Sequence, residues 1–152
     1  MDMHGEQLIP LPLQQVWEGL NDPAVLKDCI AGCDILEKIT DTEYKVGMTA
    51  AIGPVKAKFS GKLTLADMNP PQSYSLAFEG TGGVAGFARG TAQVALSPEG
   101  EGTRLAYTAK ATVGGKLAQI GSRLIDGVAR KMADEFFVKF NARVASGASA
   151  QK

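Results

Sequence analysis

The spacing of hydrophobic positions changes character three times along the chain. Glu6-Gln7-Leu8-Ile9 reads as a short first strand, and Pro10 and Pro12 interrupt it. Val16, Trp17 and Leu20 then recur at helical spacing within Leu13 to Leu20. Asn21-Asp22 forms a capping pair, and Pro23 suits the first turn of a second helix that runs through Val25, Leu26 and Ile30 to Gly32.

From Asp34 to Val113 the period falls to two. Segments of about ten residues are separated by turn residues such as Asp41-Thr42, Gly53-Pro54, Asn69-Pro70-Pro71 and Glu99-Gly100-Glu101-Gly102. Val55, Ala57, Phe59, Leu63 and Leu65 alternate with Lys56, Lys58, Ser60, Lys62 and Thr64, so one face is wet and the other buried. The same alternation groups Tyr74, Leu76 and Phe78, and later Leu105, Tyr107, Ala109, Ala111 and Val113. This predicts an antiparallel meander. After Gly114-Gly115 the period returns to 3.6: Leu117, Ile120, Leu124, Val128, Met132, Phe136 and Phe140 predict one amphipathic helix of about 28 residues, about 42 Å long.

With no alternating strand and helix units to build a parallel sheet, the order predicts an α+β fold. In it a curved antiparallel sheet of six to seven strands wraps a long C-terminal helix, with two short helices after strand 1. Residues 1–146 are expected to form a single domain and residues 147–152 a disordered tail. Segment 88–96 stands out, because Ala88, Gly90, Ala92, Val94 and Leu96 put mostly small residues on the inner face. Either the helix approaches closely there or space is left open. If space is left, Phe59, Leu63, Leu76 and Phe78 line it from the sheet with Ala92 and Tyr107. Leu124, Val128 and Met132 line it from the helix, Trp17 closes it from the short helices, and Phe87 stands at its mouth. Such a wall, with few polar groups, suits an apolar ligand.

Charge and composition narrow the function classes. Sixteen Lys and Arg offset sixteen Asp and Glu, so no global field favours a nucleic acid. The balance is local: residues 1–50 are acid-rich and residues 104–152 base-rich. The opening lacks a basic leader and an apolar run, and no stretch reaches the roughly 20 apolar residues of a membrane span, which reads as a soluble cytoplasmic protein. A single His4 cannot assemble a histidine-based metal site or triad, and neither a catalytic residue nor a metal ligand is expected. Cys29 and Cys33 read as small buried apolar residues that share one helical face. Gly80-Thr81-Gly82-Gly83-Val84-Ala85-Gly86 fits a relaxed dinucleotide-binding pattern, but a strand follows it instead of a helix, so it reads as a hairpin.

The run PLQQVWEGLNDPAVLKDCIAGC from Pro12 resembles the opening of the CoxG subunits of carbon monoxide dehydrogenase, members of the helix-grip superfamily of pollen-allergen and START-like domains. Gly53-Pro54-Val55-Lys56-Ala57-Lys58-Phe59 with Gly61, the stretch Gly80 to Gly90, and Gly114-Gly115-Lys116-Leu117-Ala118 leading to Gly121 extend the resemblance over nearly the whole chain. Ala31 stands where the family usually has proline, and the membrane-seeking tail of many members has no counterpart before Lys152. The resemblance implies a non-enzymatic accessory protein that serves a molybdenum-containing dehydrogenase and binds a small hydrophobic ligand such as a quinone. Contact with the inner face of the membrane is an open alternative, since the tail through which many members seek the membrane is not seen here. Related cavities of this superfamily host polyketide cyclases and dehydratases, and an enzyme of that kind would use Tyr107, Arg89 and Tyr74 as acid and base groups. A ligand-free assembly or recruitment factor for the same dehydrogenase is compatible with the same residues.

Overall fold

The computed structural model describes the backbone of residues 1–150 and the side chains of residues 1–144. The first strand, β1, spans Asp2–Ile9 and is longer than the sequence pattern indicates, because it pairs over its whole length with the last strand, from Asp2↔Lys110 to Ile9↔Thr103. Two short helices follow: α1 (Leu13–Leu20) begins after the extended Pro12, and α2 (Pro23–Cys29) is capped by Asp22, whose side chain accepts from the Ala24 amide at 2.9 Å. Then come β2 (Cys33–Lys38), β3 (Glu43–Ile52), β4 (Val55–Asn69), β5 (Ser73–Thr81), β6 (Phe87–Glu99) and β7 (Gly102–Gly114), with a single 3-10 turn, Gly83–Ala85, inside the β5–β6 hairpin.

All seven strands form one antiparallel sheet in the order β1-β7-β6-β5-β4-β3-β2, so α1 and α2 carry the chain from one edge of the sheet to the other. The α+β architecture expected from the pattern, and the helix grip implied by the resemblance, are the ones observed. Gly61 faces Gly80 across β4 and β5: a Cβ at Gly61 would collide with the Glu79 carbonyl oxygen and stand 2.6 Å from the Gly80 Cα, so only glycine lets the strands close up there.

Beyond β7 the structure departs from the expected single helix. A one-turn helix α3 (Lys116–Gln119) ends at Gly121, whose φ of +106° cannot continue a right-handed helix, and the long helix α4 (Ser122–Ala150) starts afresh. Leu117 and Ile120 therefore do not belong to the long helix. The apolar line along α4 also differs. Steps of four residues advance about 40° beyond a full turn each, so Leu124 and Phe140 point about 160° apart; Leu124 is 43% exposed while Phe140 is fully buried. The line buried on α4 is Ile125, Phe137 and Phe140. The tail expected at 147–152 lies outside the residues whose side chains are described.

The core is concentrated at one end of the grip. Ile9, Val16, Trp17, Leu20, Leu36, Tyr44, Leu65, Tyr74, Leu96, Leu105, Phe137 and Phe140 form one buried cluster, made by α1, α2, the C-terminal half of α4 and the strand ends beside them. The Thr103 hydroxyl, fully buried, donates to the Leu11 carbonyl at 2.7 Å and fixes the β1–α1 connection over this end.

Candidate functional site

Away from that cluster the inner face of the sheet changes character. The alternation persists, but its inward positions are half-exposed: Met48, Ala50 and Ile52 on β3, Ala57 and Phe59 on β4, Phe78 on β5, Ala88 and Ala92 on β6, Ala109, Ala111 and Val113 on β7. Apolar side chains in that number, turned inward and only partly buried, make this face the candidate wall of a ligand site. Its other side is α4, which makes its close approaches to the sheet at β1 and β3 and packs chiefly on α2.

The small residues of β6 are part of this arrangement. At Gly90 a Cβ would stand 2.6 Å from the Phe78 ring, so that glycine makes room for its cross-strand partner's aromatic side chain. Ala92 faces the cleft between Leu76 and Ala109.

Most of the residues expected to line a ligand site come together here. Phe59, Leu63, Leu76, Phe78, Ala92 and Tyr107 share the inner face, with Leu63, Leu76 and Tyr107 packed against the buried cluster, Tyr107 through its stack on Phe137. Val128 and Met132 are half-buried on α4. Leu124 is at the cleft's end, against the β3–β4 turn, where a Cβ at Gly53 would lie 2.6 Å from its Cδ2.

Two expected residues are elsewhere. Trp17 belongs to the packed end, buried edge-to-face on Tyr74 with ring centroids 5.4 Å apart, because α1 turns its apolar face wholly into the core. Phe87 sits on the convex face: its ring lies over Gly114, and the Arg89 guanidinium stands 5.6 Å from its centroid. Strand parity explains this, since Phe87 and Arg89 share the odd register of β6 while Ala88, Gly90 and Ala92 face inward.

The open end is ringed by the β3–β4 turn, the glycine-rich β5–β6 hairpin and α3. A Cβ at Gly115 would stand 2.7 Å from the Gly86 Cα, so hairpin and α3 touch backbone to backbone. Val84 at the hairpin tip is 85% exposed, and Lys56, Lys116 and Arg123 are exposed around the same end. No cluster of three or more His, Cys, Asp or Glu capable of holding a metal ion occurs among the described residues. Cys29 ends α2 and is buried, whereas Cys33 opens β2 and its thiol donates to the Ile35 carbonyl at 3.4 Å, so the two do not share one helical face. Burial raises the pKa of both thiols.

Two grooves open on the surface. One of about 600 Å³ lies between Pro10, Pro12, Leu13 and the β6–β7 turn. The second, of about 430 Å³, lies on β4, β5 and β6 beside Ser60, Glu79, Phe87 and Arg89. Apart from Phe87, neither is lined by the residues expected to bind a ligand.

The fold and chain are shared with known proteins. A conserved protein of Geobacillus kaustophilus of known structure is 36% identical over 96% of both chains, with a TM-score of 0.90. TTHA0849 of Thermus thermophilus is 19% identical, with 97% of this chain and 99% of that one covered and a TM-score of 0.70. The Zhui aromatase/cyclase of Streptomyces sp. R1128 is 12% identical, with 95% and 93% covered and a TM-score of 0.69. These last two show likeness of fold. No curated protein sequence matches the chain. The family model for CoxG, a subunit of carbon monoxide dehydrogenase, matches residues 5–145, and with a START-like grip built over that same span, this chain belongs to the carbon monoxide dehydrogenase CoxG family.

Proposed function

We propose that the protein is a non-enzymatic carrier of a small hydrophobic molecule, held in the cleft between the sheet and α4, and that it serves a molybdenum-containing dehydrogenase. The observation that carries this reading is the half-exposed apolar wall of the concave face. A chain gains nothing from leaving such a surface open to water, and covering it with an apolar ligand recovers roughly 25 cal/mol for each Å² removed from solvent. A quinone fits this chemistry: a flat ring and an apolar tail for the wall, in a protein whose family serves an electron-transfer enzyme. Among the described residues no helix is long and apolar enough to cross a membrane. Exposed Val84 and the cations Lys56, Lys116 and Arg123 at the open end support peripheral docking on the anionic inner face of a membrane, where such a ligand would be exchanged.

The acid–base alternative asks Tyr107, Arg89 and Tyr74 to converge on one substrate. Tyr107 is on the inner face, Arg89 on the convex face and Tyr74 in the packed core, which supports the carrier over the cyclase. A ligand-free assembly factor would have no need of the open wall.

The test is mass spectrometry of an organic extract of the protein purified from its native host, beside the Ala92→Trp variant, whose indole fills the cleft. A stoichiometric apolar molecule in the wild type that is lost from the folded variant is the expected result. An empty wild type, or uptake that survives in the folded variant, overturns the carrier reading. In the first case, capture of the dehydrogenase by both forms points to the assembly role.

A further inference from the structure

The convex face of the sheet carries a charge pattern that a ligand on the inner face leaves unused. Antiparallel pairing sets Glu37, Lys45, Lys62, Glu79 and Arg89 side by side across β2 to β6, and all five are exposed. Lys58 lies on the same face of β4, and Lys56 continues the line toward the open end. Cations thus outnumber carboxylates on this stretch of a chain whose charges balance overall. Among the described residues Lys45, Lys58 and Lys62 make no ion pair, and the Arg89 guanidinium lies over the Phe87 ring.

This arrangement opposes the fold. Lys45 and Lys62 are direct cross-strand partners, and like charges so placed weaken the pairing of their strands. Lysines along an outer strand guard a sheet against edge-to-edge association. β4 is no edge, because β3 and β2 flank it on one side and β5 on the other. The repulsion therefore protects nothing, and an anionic surface laid over the face would relieve it.

The order of the signs selects the kind of surface. A nucleic acid or an anionic bilayer presents one sign throughout, and Glu79, between Lys62 and Arg89, would repel it. A protein can set acids over the lysines and a base over Glu79. Uncharged Thr64, Ala77 and Thr91 form the adjoining row. From Lys58 to Thr64 is about 20 Å along β4, and from Lys45 to Arg89 about 14 Å across the strands. That is on the order of a third of the roughly 800 Å² that each partner buries in a standard protein interface.

We infer that this convex face docks a partner protein, through an acidic patch set over Lys45, Lys58 and Lys62 and a basic residue set over Glu79. The inference rests on the dehydrogenase reading and adds to it the surface on which that enzyme is met, across the sheet from the candidate ligand wall.

Biolayer interferometry of the full chain against the purified molybdenum-containing dehydrogenase of its native host tests this, with phosphatidylglycerol vesicles and heparin run in parallel. Lys45→Gln/Lys62→Gln is expected to weaken dehydrogenase binding on the order of 10-fold in 50 mM salt, chiefly through slower association, and the difference is expected to shrink in 0.5 M salt. The same variant is expected to unfold at an equal or higher urea concentration, because the repulsion between its strands is gone. Lys131→Gln/Lys139→Gln, which removes two exposed cations from α4, is expected to bind as the wild type does. Glu79→Gln is expected to weaken binding by removing the partner's answering carboxylate. Dehydrogenase binding that is unchanged in Lys45→Gln/Lys62→Gln overturns the docking face and leaves the dehydrogenase reading standing. Tighter binding in Glu79→Gln, or vesicles or heparin held through the same lysines, points to a uniform polyanion and overturns the protein partner. A wild type that does not bind the dehydrogenase overturns the dehydrogenase reading, and the docking face with it.

Discussion

Replacing Ala92 by tryptophan distinguishes an open cleft from a close-packed core by stability alone, before any ligand is considered. Ala92 faces inward from β6 between Leu76 and Ala109, and all three are half-exposed. In a filled interior an added indole has nowhere to go, and overpacking by even a few methylenes costs about 1–3 kcal/mol. Against an open wall the outcome reverses in sign. An indole carries on the order of 150–250 Å² of surface; covering half of it at about 25 cal/mol per Å² contributes about 2–3 kcal/mol. Lost rotamer freedom offsets about 1 kcal/mol of that. Ala92→Trp is therefore expected to leave stability unchanged or raise it by up to about 2 kcal/mol. Urea unfolding at 25 °C, followed by far-UV circular dichroism, measures this, with Leu105→Ala at the packed end as the control. Leu105 is 1% exposed, and its truncation is expected to cost about 2–5 kcal/mol. A loss of about 3 kcal/mol or more for Ala92→Trp, comparable with the control, would show that the site is core and refute the cleft.

Other consequences follow from contacts at the packed end. Gly19→Ala puts a Cβ 2.9 Å from Val144 Cγ1 and 3.1 Å from the Phe140 ring, so α1 must move off α4; a cost of about 1–3 kcal/mol is expected in the same urea assay, although alanine is the better helix former by about 1 kcal/mol. Tyr74 is buried, and desolvation, followed by the nearby Tyr44, raises its pKa. The sign is that of an acid kept neutral by folding: its contribution is intact below the ordinary phenol pKa of about 10 and is lost as pH rises above it, because the unfolded chain ionises first. Tyr74→Phe is accordingly expected to flatten the fall in stability between about pH 10 and 12, and an unchanged alkaline slope would contradict the burial of that hydroxyl. The Arg143–Asp28 pair joins α4 to α2 at 3.1 Å but is exposed on both sides, so Asp28→Asn should cost under about 1 kcal/mol, with the difference shrinking in 1 M salt; a larger, salt-independent loss would mean that Asp28 does more than pair.

The chain's local chemistry already specifies most of the architecture. Period-two alternation assigns each inward residue of β4 to β7 to its face, because successive side chains in a strand must point to opposite sides. Asp22 and Pro23 mark the start of α2 by capping chemistry that needs no tertiary partner. The motifs from Pro12 to Gly121 carry the family, and the same alternation collects the sheet residues of the candidate site. Other features were decided only by long-range contacts. β1 extends back to Asp2 because β7 offers partners for its backbone along the whole length. Gly121 divides the last helix through a backbone angle that helical spacing does not express, since Leu117 and Ile120 keep the period across the break. Leu124 is left exposed because a line of four-residue steps winds around the helix, and only the position of α4 over β1 and β3 selects which part of that winding is buried. Periodicity cannot distinguish a cavity wall from a core, as both require apolar residues on one face. That distinction is a matter of distance between layers, which the partial burial of the inner residues of β4 to β7 reflects and a period along the chain does not carry.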